Sequence, residues 1–93
     1  MRDANFEWDD RKAAGNLRKH EVSFAAARDV FADLRAIDKL DVDEADEDRI
    51  LLTGMVNEEL ITVCFVERGY RKRIISARRA SRRERDDYNE ANA

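Results

Sequence analysis

The sequence predicts a single α+β domain built from an antiparallel meander sheet, two N-terminal helices packed on one of its faces, and a C-terminal helix. Three observations carry that reading. Apolar residues recur at helical spacing in two stretches before residue 33, runs rich in β-branched and aromatic residues are divided by short turns between residues 49 and 78, and a serine and a glutamate three apart open a last helix at Ser81. A chain of 93 residues leaves no room for a second core, so residues 1–93 are read as one domain.

Asn5 to Trp8 alternates polar and apolar residues, which predicts a short strand with Phe6 and Trp8 on its buried side. Asp9 reads as a helix cap. From Asp10 to Lys19 or His20 the apolar Ala13, Ala14 and Leu17 recur at helical spacing, and Arg18, Lys19 and His20 gather where a helix C-terminus favours cations. Ser23 caps a second helix whose Phe24, Ala27, Val30 and Phe31 form one stripe ending near Asp33. A short edge strand is expected around Ala36 and Ile37. It runs into the acidic block Asp41, Asp43, Glu44, Asp46, Glu47 and Asp48, whose self-repulsion predicts a loop.

Arg49 to Val56 and Leu60 to Val66 read as a hairpin joined by Asn57-Glu58-Glu59. Glu67-Arg68-Gly69-Tyr70 is the next turn, and Arg71 to Arg78 is a third strand antiparallel to the second. Ser81 and Glu84 form a capping box for a helix running to about Asn89. With the helices on one face, the other face of the sheet stays partly open and is where a site is expected.

Composition narrows the function. The net charge of -3 and pI near 5.2 argue at first against a nucleic-acid ligand. Distribution changes the picture: residues 67–93 hold nine Arg or Lys against five acids, a local +4, which leaves -7 on the remaining 66 residues. Attraction follows local potential, so one phosphate-facing surface fits this asymmetry, as does a solvated basic face balancing a solvated acidic loop. The lone Cys64 sits in an apolar run and reads as a packing thiol. There is no run of about 18 apolar residues and no signal-peptide pattern at the N-terminus, which predicts a cytoplasmic protein without a membrane partner. The acidic block lacks the glycine and terminal glutamate of a calcium loop, and no Cys/His cluster, glycine-rich phosphate loop or serine triad is present. No metal or cofactor is expected, and phosphate chemistry is what survives.

Four segments carry a family resemblance. Phe6-Glu7-Trp8-Asp9, then Lys12, Asn16 and Lys19-His20-Glu21-Val22-Ser23-Phe24, resembles the opening of BrnT toxins; Glu67-Arg68-Gly69 and Arg73-Ile74-Ile75-Ser76-Ala77-Arg78 resemble their central turn and last strand, and Arg83-Glu84 with Tyr88 their ending. The sequence departs from the common pattern at Glu21, often glycine, and at Lys72, often apolar. The resemblance implies a RelE-like fold, a metal-independent endoribonuclease, and a ribbon-helix-helix, BrnA-like antitoxin that neutralises the toxin and binds operator DNA on its behalf.

Cleavage without a metal needs a base for the ribose 2′-OH, cations for the phosphorane charge and an acid for the leaving 5′-oxygen. Histidine is the side-chain type that can take either proton role near neutrality, which makes His20 the first candidate, and Lys19 stands beside it; the competing reading is a histidine that merely interacts with the end of its helix. Arg68, Arg73 and Arg78 can clamp phosphate bidentately. Strict alternation puts Arg71, Arg73 and Arg79 on one face and Lys72 and Arg78 on the other, so Arg73 and Arg78 converge only if a bulge or the strand end intervenes. Arg78 can instead pair with Glu67, Glu84 or the acidic loop. Arg71, Arg83 and Tyr88 complete the expected RNA-binding surface, Tyr88 by stacking on a base, whereas Trp8 reads as core. The alternative function is a non-catalytic module that pairs with a DNA-binding antitoxin in transcriptional regulation.

Overall fold

The computed structural model describes residues 1–41 and 48–93. The order is β1 (Phe6–Glu7), α1 (Asp10–His20), α2 (Phe24–Val30), β2 (Ile37–Leu40), β3 (Ile50–Val56), β4 (Glu59–Arg68), β5 (Arg71–Arg79) and α3 (Arg82–Ala91). Most of the acidic block expected as a loop lies outside the described residues.

Strands β2 to β5 form the expected antiparallel meander, but β1 joins the far edge parallel to β5, giving the order β1-β5-β4-β3-β2. The sheet is therefore mixed, not a pure antiparallel meander. A parallel neighbour needs a long crossover, and here the intervening elements, α1 through β4, supply it. Asn57 and Glu58, both at positive φ, link the directly paired Val56 and Glu59 in the two-residue hairpin that suits twisted strands. Gly69 takes the positive φ of the β4–β5 turn.

The core lies between the sheet and α2. Phe24, Ala27 and Val30 pack on Val63, Phe65, Ile74 and Ala77, and an edge-on aromatic chain runs from Phe6 through Phe31 to Phe65 with ring centroids 5.1 and 4.9 Å apart. Trp8 meets Phe24 edge-on at 5.7 Å, in the core as expected. Gly54 leaves the space that Val30 and Ala36 fill, since a Cβ there would stand 3.0 and 3.1 Å from them.

Helix α1 is anchored by a polar residue. Leu17 remains half exposed, and the buried side chain of the helix is Asn16. Its amide accepts from the Ala77 N–H at 3.1 Å and donates to the Ala77 carbonyl at 2.8 Å and the Val22 carbonyl at 2.9 Å. Strand β1 pairs only with Lys72 and Arg73, so Asn16 acts as a one-residue strand partner for the edge of β5 beyond it.

Helix α3 corrects the expectation that all helices share a face. Leu52 and Val63 are paired and buried on the α2 side, so their neighbours Thr53 and Thr62 point the other way, and α3 reaches Thr62 through Glu84. The polar Thr53, Thr62 and Arg78 on that side of the sheet explain why α3 docks through hydrogen bonds.

Candidate functional site

One extra residue in β5 decides where the arginines go. Cys64 pairs with Ser76 and Phe65 with Ile74, leaving Ile75 as a bulge. Before it, Arg73 pairs with Val66 and Arg71 with Arg68; after it, Arg78 pairs with Thr62. Directly opposed residues share a face, so Arg68, Arg71, Arg73 and Arg78 all lie on the side away from α2, while Lys72 and Arg79 lie on the α2 side. Simple alternation splits Arg73 from Arg78 and joins Arg73 to Arg79; the bulge reverses both assignments, and it lets Ile74 and Ala77 both reach the core.

At the Arg73 end, a cleft of about 520 Å³ is lined by Lys12, Asp48, Arg49, Val66, Glu67, Arg68, Arg73 and Ile75. Four basic side chains there outnumber two acidic ones. Lys12 arrives because Asp9 caps α1, accepting from the Arg11 and Lys12 N–H groups at 2.8 and 3.1 Å, and so starts the helix beside β5. Those two backbone bonds hold the Asp9 carboxyl below its ordinary pKa, helped by Lys12 and Arg73. The parallel β1–β5 register sets Glu7 opposite Arg73, and the Arg73 Nη1 donates to Glu7 Oε2 at 2.7 Å. That bond, with the nearby charges of Arg73, Arg2 and Arg68, holds the Glu7 carboxyl below its ordinary value despite its burial.

The other expected site residues fall elsewhere. His20 ends α1, with its carbonyl 3.5 Å from Arg79 Nη1, and Lys19 is exposed beside it. Arg79 and Arg73 pair with Ile61 and Val66, five residues and so roughly 17 Å apart along β4, and His20 does not line the cleft with Arg68 and Arg73. Arg78 is paired bidentately with Glu84, at 2.7 and 3.0 Å, which is the ion-pair reading of that residue. Arg71 donates from Nε to the Asp3 carbonyl at 2.7 Å and holds the N-terminal segment to β5. Arg83 is exposed, 3.5 Å from Asp87 one helical turn on. Tyr88 is buried, and its hydroxyl donates to Asp33 Oδ2 at 2.7 Å, so its ring is not presented for stacking on a base.

Three residues enter the site that sequence reasoning left out of it: Glu7, Lys12 and Arg49. The helical phase set by Asp9 carries a signal for Lys12, which sits in the first turn. Glu7 and Arg49 depend on strand pairings that local pattern does not encode.

Among the described residues, no group of three or more His, Cys, Asp or Glu side chains gathers as a metal site. No helix among them is long and apolar enough to cross a membrane. A small mixed sheet with a row of arginines and a cationic cleft on its less covered face defines a class of compact α+β domain suited to phosphate-bearing partners. The family model for the ribonuclease toxin BrnT of type II toxin-antitoxin systems matches residues 8–84, and the chain belongs to that family. A search of curated proteins finds no match.

Proposed function

We propose that this chain is an endoribonuclease toxin on a RelE-like fold that cleaves RNA by attack of the ribose 2′-OH, without a divalent metal. The observation that carries the reading is the cleft where Arg68, Arg73, Lys12 and Arg49 converge. Fixed cations at that spot are what an in-line phosphorane requires, and guanidinium groups remain charged throughout the reaction. His20 and Lys19 fit a different part of the task. A base must come within hydrogen-bond reach of its proton, and their distance from Arg73 assigns them, with Arg79 and Arg83, to the RNA backbone outside the cleft.

The antitoxin is proposed to be a ribbon-helix-helix, BrnA-like protein that covers the arginine face and supplies all contacts to operator DNA. The toxin alone is then expected not to shift operator DNA. A purely regulatory, non-catalytic module is the second reading, and the wide separation of His20 from the cleft favours it.

Incubating the purified chain with RNA in excess chelator separates these. Undiminished cleavage with 2′,3′-cyclic phosphate ends is expected. Cleavage stopped by chelation and restored by magnesium or manganese overturns the metal-free chemistry. If no cleavage occurs, and expression of the chain arrests growth no more than its Arg73→Ala variant does, the regulatory reading stands.

A further inference from the structure

Resting on the proposed ribonuclease reading, we infer that Glu7 is the general base of the reaction and that Lys12 gives a proton of its own to the leaving group. A base must stand beside the arginines that hold the phosphate. The proposed clamps, Arg68 and Arg73, cannot accept a proton, and His20 lies at the other end of β5. The carboxylates that line the cleft are Asp48 and Glu67, and Glu67 shares the α2-side face of its partner Lys72, opposite to Arg73. Glu7 is the carboxylate hydrogen-bonded directly to one of those clamps, at 2.7 Å, with its side chain 15% exposed at the margin of the cleft.

The Glu7–Arg73 bond makes the base responsive to substrate. In the free protein Arg73 holds the carboxylate charged, with Arg2 and Arg68 adding to the effect. A phosphate entering the cleft competes for the same guanidinium. Each N–H that turns to phosphate leaves Glu7 less stabilised as an anion, so its proton affinity rises as the ribose arrives. The carboxylate then takes the 2′-OH proton, the 2′-oxygen forms a bond to phosphorus, and the bond from phosphorus to the 5′-oxygen breaks. Lys12 is the cation in the cleft with a transferable proton, because arginine does not deprotonate. Its ammonium protonates the 5′-oxygen, giving a 2′,3′-cyclic phosphate and a 5′-hydroxyl. Solvent exchange returns the Glu7 proton to water and recharges Lys12.

Glu7→Gln keeps an oxygen for Arg73 and removes the base, while Glu7→Asp keeps a carboxylate. In metal-free single-turnover cleavage, the Gln variant is expected to lose about 10²–10⁴-fold in rate. Its RNA binding should be equal or tighter, since a negative charge beside two arginines is gone. The Asp variant should cleave at least about tenfold faster than the Gln variant, with the acidic limb of the wild-type rate profile retained in Asp and absent in Gln. A Gln variant as fast as the wild type, or equal losses in Asp and Gln, overturns the assignment while leaving the ribonuclease reading intact. A wild-type chain that does not cleave without metal overturns both.

Discussion

Glu84 receives both terminal nitrogens of Arg78 and, on the same carboxylate, the Thr62 hydroxyl and the Ser81 N–H. Because Thr62 donates to Glu84, the 2.7 Å contact between Thr53 and Thr62 must run from the Thr53 hydroxyl. One side chain thus joins the start of α3 to β3, β4 and β5. Burial pushes the Glu84 carboxyl up, but the bonds from Arg78, Ser81 and Thr62 outweigh it and bring the pKa down to about 2, from an ordinary 4.5.

The sign of the resulting pH dependence follows. A carboxyl with a lowered folded-state pKa contributes stability that is complete above the unfolded value near 4.5 and is lost as pH falls toward 2. Glu84→Gln is expected to lower stability by about 1–3 kcal/mol at neutral pH. In urea unfolding the gap to the wild type should narrow steadily below pH 4.5. A gap of the same size at pH 7 and pH 3 contradicts the assignment.

Asn16→Leu tests the polar anchor of α1. The substitution leaves the Ala77 N–H and two carbonyls without their partner, and about 2–4 kcal/mol of destabilisation is expected from buried groups left unpaired. Hydrogen exchange supplies the specific readout, because the Ala77 amide should lose protection before its neighbours on β5. Unchanged exchange at Ala77 would show that another group takes the place of Asn16.

Glu21 closes α1 in the left-handed region, at φ 60°, while its N–H bonds the Leu17 carbonyl. A non-glycine residue is strained there by about 1–2 kcal/mol, so Glu21→Gly is expected to stabilise the protein by about 1 kcal/mol after the extra entropy of glycine is deducted. The melting temperature should rise by a few degrees. A fall would mean that the Glu21 side chain makes a stabilising contact of its own.

Neutralising Arg68 and Arg73 together should weaken RNA binding and flatten its dependence on salt, by about 0.7 in log–log slope for each phosphate that is no longer neutralised. Arg78→Gln serves as the contrast. Its guanidinium already belongs to Glu84, so stability should fall while the slope changes little. An unchanged slope in the double variant removes the cleft from the RNA surface.

Local pattern made the helices and the meander legible, because caps at Asp9, Ser23 and Ser81 and the runs in β3 to β5 are decided by neighbours in sequence. Contacts between residues some 60 positions apart were not legible. The parallel pairing of Glu7 with Arg73 and the hold of Asn16 on Ala77 depend on which strand edge remains free once the sheet has formed. Arg73 could be named from its residue type and strand; that it meets Glu7 and Lys12, while His20 lies at the other end of β5, follows from tertiary arrangement. Tyr88 shows the same limit from the other side, since an aromatic on an amphipathic helix suits base stacking or core packing equally until its hydroxyl finds Asp33.

The Ile75 bulge makes the spacing of β5 matter as much as its composition. The residues before and after it are half a pleat out of step, and this offset lets Ile74 and Ala77 face the helices while Arg73 and Arg78 face away. Deleting Ile75 would let Ser76 follow Ile74 directly, so Ile74 and Ala77 would still face the helices and Arg73 and Arg78 would still face away. Straightening the strand with Ile75 kept in the pleat would instead turn Arg78 toward the helices if Ile74 kept its place, or Arg73 if Ala77 kept its place, so the way one surplus residue is absorbed is as much a determinant of the surface as the arginines themselves.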